Sequence, residues 1–421
     1  MRQIISSLKG TRDFYPADKF KQNWLLQQIR VVSESFGYQE YEVPYLEKLE
    51  LFAAKSGEEL VKKQSFVFQD RDGEEITLRP ELTPSLARMV AQRQSELAYP
   101  MRWWAFGPIW RYERPQKGRS REFFQWNIDL IGINSPEADA ELLAIAANFF
   151  QSTGLTPDQV KIKINDRRLM YKLLREIGVP EEKTSDVLHL IDRKDKLTVP
   201  AWEEMANSLG MEQGVIPKLK GVLVDNELWK HSEELTRCFT ALDTLKVREY
   251  VIYDPKVIRG LDYYTGIVFE AFDLDGGRAI LGGGHYDNLV EDVGGSSLPG
   301  VGFAMGDVMI SIILEKYGLL PQGENPPADV MVSVFEAGTM QVSLKISSEL
   351  RKMGIRTICY PEIAKLPKQL KFADRMGIRF VVIIGPDEIQ NGSAVLKDLK
   401  NGEQNSLKMD KITSEIKKIL A

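Results

Sequence analysis

Apolar residues recur at helical spacing across residues 18–36 (DKFKQNWLLQQIRVVSESF), which places Trp24, Leu25, Ile29 and Val32 on one side of a helix. Gly37 ends that helix. Residues 38–45 then read as a strand whose ladder cannot continue past Pro44. Apolar runs at 66–68 and 75–78 flank Asp70-Arg71-Asp72-Gly73 and predict a hairpin. Leu78-Arg79-Pro80-Glu81-Leu82-Thr83-Pro84 leads into a further helix. Residues 103–110 are strand-like, and so is the β-branched segment that follows Arg121. A basic loop joins them, so together they predict a second, longer hairpin. Ser135-Pro136-Glu137 supplies an N-cap and first turn for a helix over 136–153, and residues 160–165 alternate as a strand.

The pattern changes at residue 167. Residues 167–248 are rich in Leu, Glu, Lys and Asp at helical spacing, and read as a helical insertion between two sheet-forming regions. Strand signals resume at 249–253 and continue through 268–270. Residues 321–328 (PQGENPPA) have the composition of a linker. Beyond it, strands at 329–335, 356–360, 380–384 and 394–399 alternate with helices at 340–353, 366–376 and 410–420. This predicts a small α/β domain with a mixed sheet over 329–421, following a larger domain over 1–325.

Composition narrows the classes. With 421 residues, 43% hydrophobic and 27% charged, the chain is an ordinary globular protein of two or three domains with room for a large core. Two cysteines without a CxxC spacing suggest a reducing compartment and no zinc site. No apolar run approaches membrane-span length, and no signal-peptide core precedes Gly10-Thr11-Arg12-Asp13, so a cytoplasmic location is the expectation. A net charge of −5 argues against a nonspecific DNA binder but leaves room for a local basic surface that meets RNA.

The chemistry concentrates in residues 111–132 (RYERPQKGRSREFFQWNIDLIG). Arg111, Arg114, Lys117, Arg119 and Arg121 surround a Pro-Gln-Lys-Gly loop, and a planar guanidinium grips phosphate oxygens bidentately while keeping its charge. On the return strand Gln125 and Asp129 share a face with Phe123 and Arg121, since side chains alternate at period two. Such a face makes a poor core and a good polar pocket. Arg259-Gly260-Leu261-Asp262-Tyr263-Tyr264-Thr265-Gly266 places a cation and two phenols between strands. Leu281-Gly282-Gly283-Gly284-His285-Tyr286-Asp287 allows close backbone approach but is no Rossmann fingerprint. His285 reads as structural, and with His189 and His231 it forms no metal-ligand spacing.

These segments carry a resemblance. The hairpin, with Trp110 in place of the usual Phe before Arg111, resembles motif 2 of class II aminoacyl-tRNA synthetases, and ERPQKGR followed by REFFQ is similar to the histidyl-tRNA synthetases. The 18–45 segment resembles motif 1, the dimer element. Residues 259–266 match one histidine-specific signature, and 281–287 match the second except that His285 replaces an arginine. Gly300-Val301-Gly302-Phe303-Ala304-Met305-Gly306 resembles motif 3, whose arginine is replaced by Met309.

The resemblance implies an α+β fold: a class II antiparallel sheet core flanked by helices, a helical insertion and a C-terminal anticodon-binding domain, assembled as a homodimer. It implies ATP-dependent activation of histidine and transfer to tRNA-His, with Mg2+ accompanying ATP. It assigns Arg111 to the α-phosphate, Arg119 to the β/γ end, Glu113 and Phe123 to adenine, and Arg259 to charge at the reacting centre. Glu81, Thr83 and Gln125 would hold the ends of histidine. Asp129 and Tyr264 would read its imidazole, and Tyr263 and Tyr286 would line its pocket. Arg114, Gln116 and Lys117 would meet the tRNA acceptor end. An arginine of the hairpin is expected to make up for Met309. The same fold also builds a regulatory subunit of histidine biosynthesis, the ATP phosphoribosyltransferase regulatory subunit, which binds ligand without charging tRNA. The Arg259 signature, the hairpin arginines and the C-terminal domain favour the ligase.

Overall fold

The computed structural model describes residues 4–53, 64–259, 263–322 and 326–420; Gly260–Asp262 of the Arg259 signature lie outside them. Two compact units emerge, Met1–Phe14 with Lys21–Pro321, and Tyr15–Phe20 with Gln322–Ala421.

The larger unit is built on an eight-stranded sheet. Its strands in chain order are β1 (Gln39–Glu40), β5 (Met101–Trp110), β6 (Glu122–Ile131), β7 (Val160–Asp166), β8 (Val251–Tyr253), β9 (Tyr264–Asp273), β10 (Leu281–Tyr286) and β11 (Gly300–Gly306). They lie in the order β1-β5-β6-β11-β10-β9-β7-β8. All neighbours are antiparallel except the two edge pairs, β1 with β5 and β7 with β8. A separate three-stranded sheet holds β2 (Leu46–Lys48), β3 (Phe66–Gln69) and β4 (Glu75–Leu78) in the order β2-β4-β3. The β3–β4 hairpin turns at Asp70, whose carboxylate accepts from the amides of Asp72 and Glu74, and at Gly73, whose φ of 85° suits glycine.

Period-two alternation gives the main sheet two different faces. Trp126, Ile128 and Leu130 of β6, Val301, Phe303 and Met305 of β11, and Ile267, Phe269 and Ala271 of β9 all enter one core. The Pro136–Ser152 helix covers that face. It opens on Ser135, whose side chain accepts from the Ala138 amide, and its alanines, leucines and phenylalanines are buried. Trp126 meets Phe303 edge-on at 4.9 Å and Phe149 at 5.3 Å. The opposite face carries Gln125, Asn127 and Asp129 of β6, paired across the ladder with Gly306, Ala304 and Gly302 of β11. Small residues facing polar ones leave room for a ligand in place of a core.

Two strand expectations need correction. Of residues 38–45, only Gln39 and Glu40 pair. Past Glu40 the backbone is held at the Tyr41 amide, which donates to the Trp104 carbonyl, and at the Tyr45 carbonyl, which accepts from the Arg79 amide. Fully buried Arg79 also takes Glu42 and the Val43 carbonyl with Nη1 and the Pro108 carbonyl with Nε. Glu249 and Tyr250 belong to a 3-10 turn ahead of β8, closed by the Tyr250 amide donating to the Val247 carbonyl, and the Tyr250 hydroxyl donates to the Leu155 carbonyl.

Residues 167–248 are helical apart from turns, as expected. Their separate core lies between Met170 and Leu223 and includes Ile258, with the Trp202 indole donating to the Leu190 carbonyl. The Glu233–Thr244 helix instead contributes Leu235, Cys238, Phe239 and Leu242 to the first core.

The smaller unit has a mixed five-stranded sheet, β12 (Val330–Val332), β13 (Thr357–Cys359), β14 (Phe380–Ile383), β15 (Ser393–Asp398) and β16 (Gln404–Lys408), in the order β13-β12-β14-β15-β16. The first three are parallel and the last two join antiparallel. The β16 strand was not expected from the sequence.

Candidate active site

The polar face of the main sheet encloses a cavity of about 250 Å³. Glu81, Thr83, Gln125, Asp129, Arg259, Tyr263, Tyr264 and Tyr286, the residues the resemblance implied for histidine, all line it, together with Arg111 and Asn127. Asn127 was missed, although the alternation that selected Gln125 and Asp129 runs through it. Its amide nitrogen donates to the Thr83 hydroxyl at 3.2 Å.

Polar capacity converges here without being used up. Gln125 Oε1, Asn127 Oδ1, Asp129 Oδ2 and Arg259 Nε are buried without a hydrogen-bond partner among the described residues. Buried polar groups in folded proteins are otherwise almost always satisfied, so this set reads as a binding site. Asp129 accepts from the Tyr286 hydroxyl through Oδ1 at 2.9 Å, which leaves Oδ2 for a ligand. Burial pushes its carboxyl up to about 7, against the opposing pull of the Tyr286 hydrogen bond. A Cβ at Gly302 would stand 2.1 Å from Asp129 Oδ1, so the glycine makes room for the carboxylate.

Arg259 stands where this cavity meets a second, larger one of about 670 Å³. Its backbone holds φ 60°, a left-handed conformation uncommon outside glycine and typical of functional sites. Burial opposes its charge, but Glu270, which accepts from Nη1, and the phenols of Tyr264 and Tyr263 hold its proton more tightly than usual. Gly282 leaves space for the guanidinium, since a Cβ there would fall 2.4 Å from Nη1.

Arg111 reaches from this cavity into a slot of about 160 Å³ that also contains Glu113, Arg119, Phe123 and Met309. Its Nε donates to the Pro80 carbonyl at 2.8 Å, and its guanidinium lies 5.6 Å from the Phe123 ring. Arg119 Nη1 meets Glu113 Oε2 at 2.9 Å. Arg114, Gln116 and Lys117 are exposed in the loop between β5 and β6. Arg121 needs correction: it lines none of these three cavities. Its backbone amide donates to the Gly10 carbonyl, its Nε donates to the Glu113 carbonyl, and its guanidinium covers the Tyr112 ring at 4.2 Å. It therefore anchors the N-terminal segment to the hairpin. Nearby, Asp307 receives Arg12 at 2.8 Å and the Phe124 amide, a link across 295 positions that no local pattern signals.

His285 takes the structural part expected of it. It points to the other face of β10, is 1% exposed, and meets Asp139 at 3.1 Å through Nδ1. Burial opposes a charge on His285, but the hydrogen bond and charge of Asp139 hold the imidazole proton more firmly than usual.

An antiparallel sheet that presents a basic hairpin, a glycine-rich strand and an amino-acid-sized polar pocket on one face defines the catalytic domain of a class II aminoacyl-tRNA synthetase. A family model described as histidyl-tRNA synthetase matches residues 10–308, and one described as anticodon binding domain matches residues 324–419. Among curated relatives, the chloroplastic/mitochondrial histidine–tRNA ligase of Arabidopsis thaliana is 36% identical over 96% of this chain and 85% of its own length. The histidine–tRNA ligase of Pyrococcus abyssi is 35% identical over 99% of this chain and all of its own. Among solved structures, histidyl-tRNA synthetase from Nostoc sp. PCC 7120 superposes with a TM-score of 0.83 at 28% identity, covering 99% of this chain and 100% of that one. The chain belongs to the histidyl-tRNA synthetase family, and it is an enzyme of the ligase class.

Proposed function

We propose that this chain charges tRNA-His with histidine in two steps, with the residues above in stated roles. The observation that carries this reading is the set of unsatisfied buried acceptors on β6, facing Arg259 across a cavity the size of an amino acid. Asp129 Oδ2 takes the imidazole N–H, while Tyr264, Tyr263 and Tyr286 wall the ring. Glu81, Thr83 and Gln125 bind the ammonium and carboxylate ends. Asn127 Oδ1, on the same face, adds an acceptor for the ammonium group.

A carboxylate oxygen of histidine attacks the α-phosphorus of ATP. A new O–P bond forms, the bond to the β-phosphate oxygen breaks, and pyrophosphate leaves. Catalysis of this kind is mostly positioning and charge stabilisation. Arg111, shared between the pocket and the slot, holds the α-phosphate. Arg259 neutralises charge between carboxylate and phosphorus, and Arg119 attends the β/γ end. Phe123 packs on adenine, which Glu113 contacts. The terminal adenosine hydroxyl of tRNA then attacks the histidyl carbonyl and AMP leaves, with Arg114, Gln116 and Lys117 placed to meet the acceptor end.

Among the described residues no group of three or more His, Cys, Asp or Glu could hold a metal. Magnesium accompanying ATP would neutralise phosphate charge beside Arg111, Arg119 and Arg259. Residues 1–325, with the helical insertion at about 167–248, form the catalytic domain, and 329–421 the anticodon-binding domain. The enzyme works as a homodimer, a reading supported by the exposed apolar side chains of Tyr45, Leu46, Val67 and Phe68 at the three-stranded sheet. Two free cysteines fit a cytoplasmic location, and no described helix is long and apolar enough to cross a membrane.

The tRNA half of this reading is testable in the smaller unit. Lys368, Lys371 and Arg375 are exposed on the Leu366–Arg375 helix, whose Gln369 and Ala373 face inward, but Lys368 is paired with Glu362. Lys371 and Arg375 are the better candidates for phosphate contact. Reversing both charges to Glu should raise the KM for tRNA about ten-fold or more and leave histidine-dependent pyrophosphate exchange unchanged. Charging at wild-type KM would remove this helix face from the tRNA contact.

A further inference from the structure

Met309 stands where the motif 3 pattern has arginine, and the cation that replaces it must be found elsewhere. We propose that Arg278, in the loop between β9 and β10, binds the terminal phosphates of ATP. The inference rests on the ATP reading given above.

Three observations carry it. First, Arg278 adjoins Met309. A Cβ at Gly118 of the hairpin loop would meet Met309 Sδ at 2.4 Å and Arg278 Cδ at 3.7 Å, so the three residues abut. Second, both side chains line the 670 Å³ cavity that is bounded at other points by Arg119 and Arg259. The adenine slot shares Gly118, Arg119, Ala279 and Met309 with that cavity, so a nucleotide whose base lies by Phe123 extends its phosphates toward Arg278.

Third, charge pairing singles Arg278 out. Among the cations of this cavity, Arg119 meets Glu113, Lys163 meets Asp254, Lys196 meets Asp192, Lys256 meets Asp195, and Arg259 meets Glu270. Arg278 alone has no carboxylate partner among the described residues, and its Nη1 is buried with no hydrogen bond. A guanidinium already matched to a carboxylate has part of its charge neutralised and some of its donors occupied. An unmatched one is free to grip a phosphate bidentately. The expectation that a hairpin arginine makes up for Met309 is therefore extended. Arg121 lies outside the cavity, and Arg119, which faces the β/γ end, shares its charge with Glu113, so Arg278 adds the further cation. Met309 supplies an apolar, polarisable wall to the slot that holds Phe123. Met309 thus walls the base slot, and Arg278 faces the phosphates beyond it.

The test is histidine-dependent ATP–pyrophosphate exchange by the full chain, comparing wild type with Arg278→Ala and Arg278→Lys. Arg278→Ala should raise the KM for ATP at least ten-fold with the histidine KM within two-fold. Inhibition by AMP, which lacks the terminal phosphates, should keep its wild-type constant. Arg278→Lys should recover part of the ATP affinity, and Met309→Arg in the Arg278→Ala background should recover more. An active Arg278→Ala enzyme with unchanged ATP KM, or one whose AMP and ATP affinities fall together, would overturn the inference alone. A wild-type enzyme without histidine-dependent exchange would overturn the ATP reading and this inference with it.

Discussion

Arg259→Ala should slow histidyl-adenylate formation by about 10²–10³-fold, the loss typical when one preorganised charge-stabilising donor is removed. The change should fall on kcat, because the guanidinium acts where charge develops between carboxylate and phosphorus. Its partner shapes the experiment. Glu270 accepts from Arg259 Nη1, so the alanine variant also strands a partly buried carboxylate and should lose melting temperature. Adding Glu270→Gln removes the stranded charge. The double variant should regain the melting temperature and none of the rate. Recovery of rate along with stability would make Arg259 a structural residue; single-turnover adenylate formation read beside thermal melts decides the matter.

Asp129 should control both which amino acid binds and how binding depends on pH. Asp129→Ala removes the acceptor for the imidazole N–H and should raise the KM for histidine roughly a hundred-fold or more with ATP binding unaffected. In the free enzyme burial holds this carboxyl at about 7, and only the ionised form accepts a hydrogen bond at both oxygens. Histidine affinity should therefore fall as pH drops through 7, by up to ten-fold per pH unit below it. Histidine's own titration contributes equally to Asp129→Asn, so the difference between the two profiles isolates the enzyme group.

The stability consequence has the opposite sign from a salt-bridged carboxylate. A folded-state value raised from 3.8 to about 7 leaves no cost below the lower value and the full cost above the upper one, about 4 kcal/mol. Asp129→Asn, which can still accept from Tyr286, should stabilise the ligand-free protein at pH 8, and the gain should shrink as pH falls through 7. Denaturant unfolding at several pH values measures it. A stability difference that is flat between pH 6 and pH 8 would mean that the carboxyl titrates normally and is not held for a ligand.

The parts of the site legible in the sequence are those whose chemistry sits on one strand. Gln125 and Asp129 announce a polar face because alternation sends Trp126, Ile128 and Leu130 to the core, and that pattern survives folding unchanged. The arginines of the hairpin are visible for the same reason, as a local density of charge. What escaped depends on contacts between distant segments. Nothing near residue 278 indicates that Arg278 would stand against Met309 and Gly118, or that Arg121 would turn to Gly10 and Tyr112. Residues 38–45 have strand composition, yet buried Arg79, more than thirty positions away, takes the Val43 carbonyl that a ladder would have used. The β16 strand, Gln-Asn-Ser-Leu-Lys, is an exposed edge strand with little apolar alternation, so its pairing with β15 leaves no hydrophobic signature to read.

The central claim is that the pocket on the β6 face activates histidine. Its most direct test is exchange of labelled pyrophosphate into ATP by the purified full-length chain at saturating ATP and magnesium, with histidine, with other amino acids and with none. The account predicts label in ATP only when histidine is present, and its loss in Asp129→Ala at histidine concentrations that saturate the wild type. Absence of exchange with histidine, or equal exchange with an amino acid that lacks the imidazole, would contradict it.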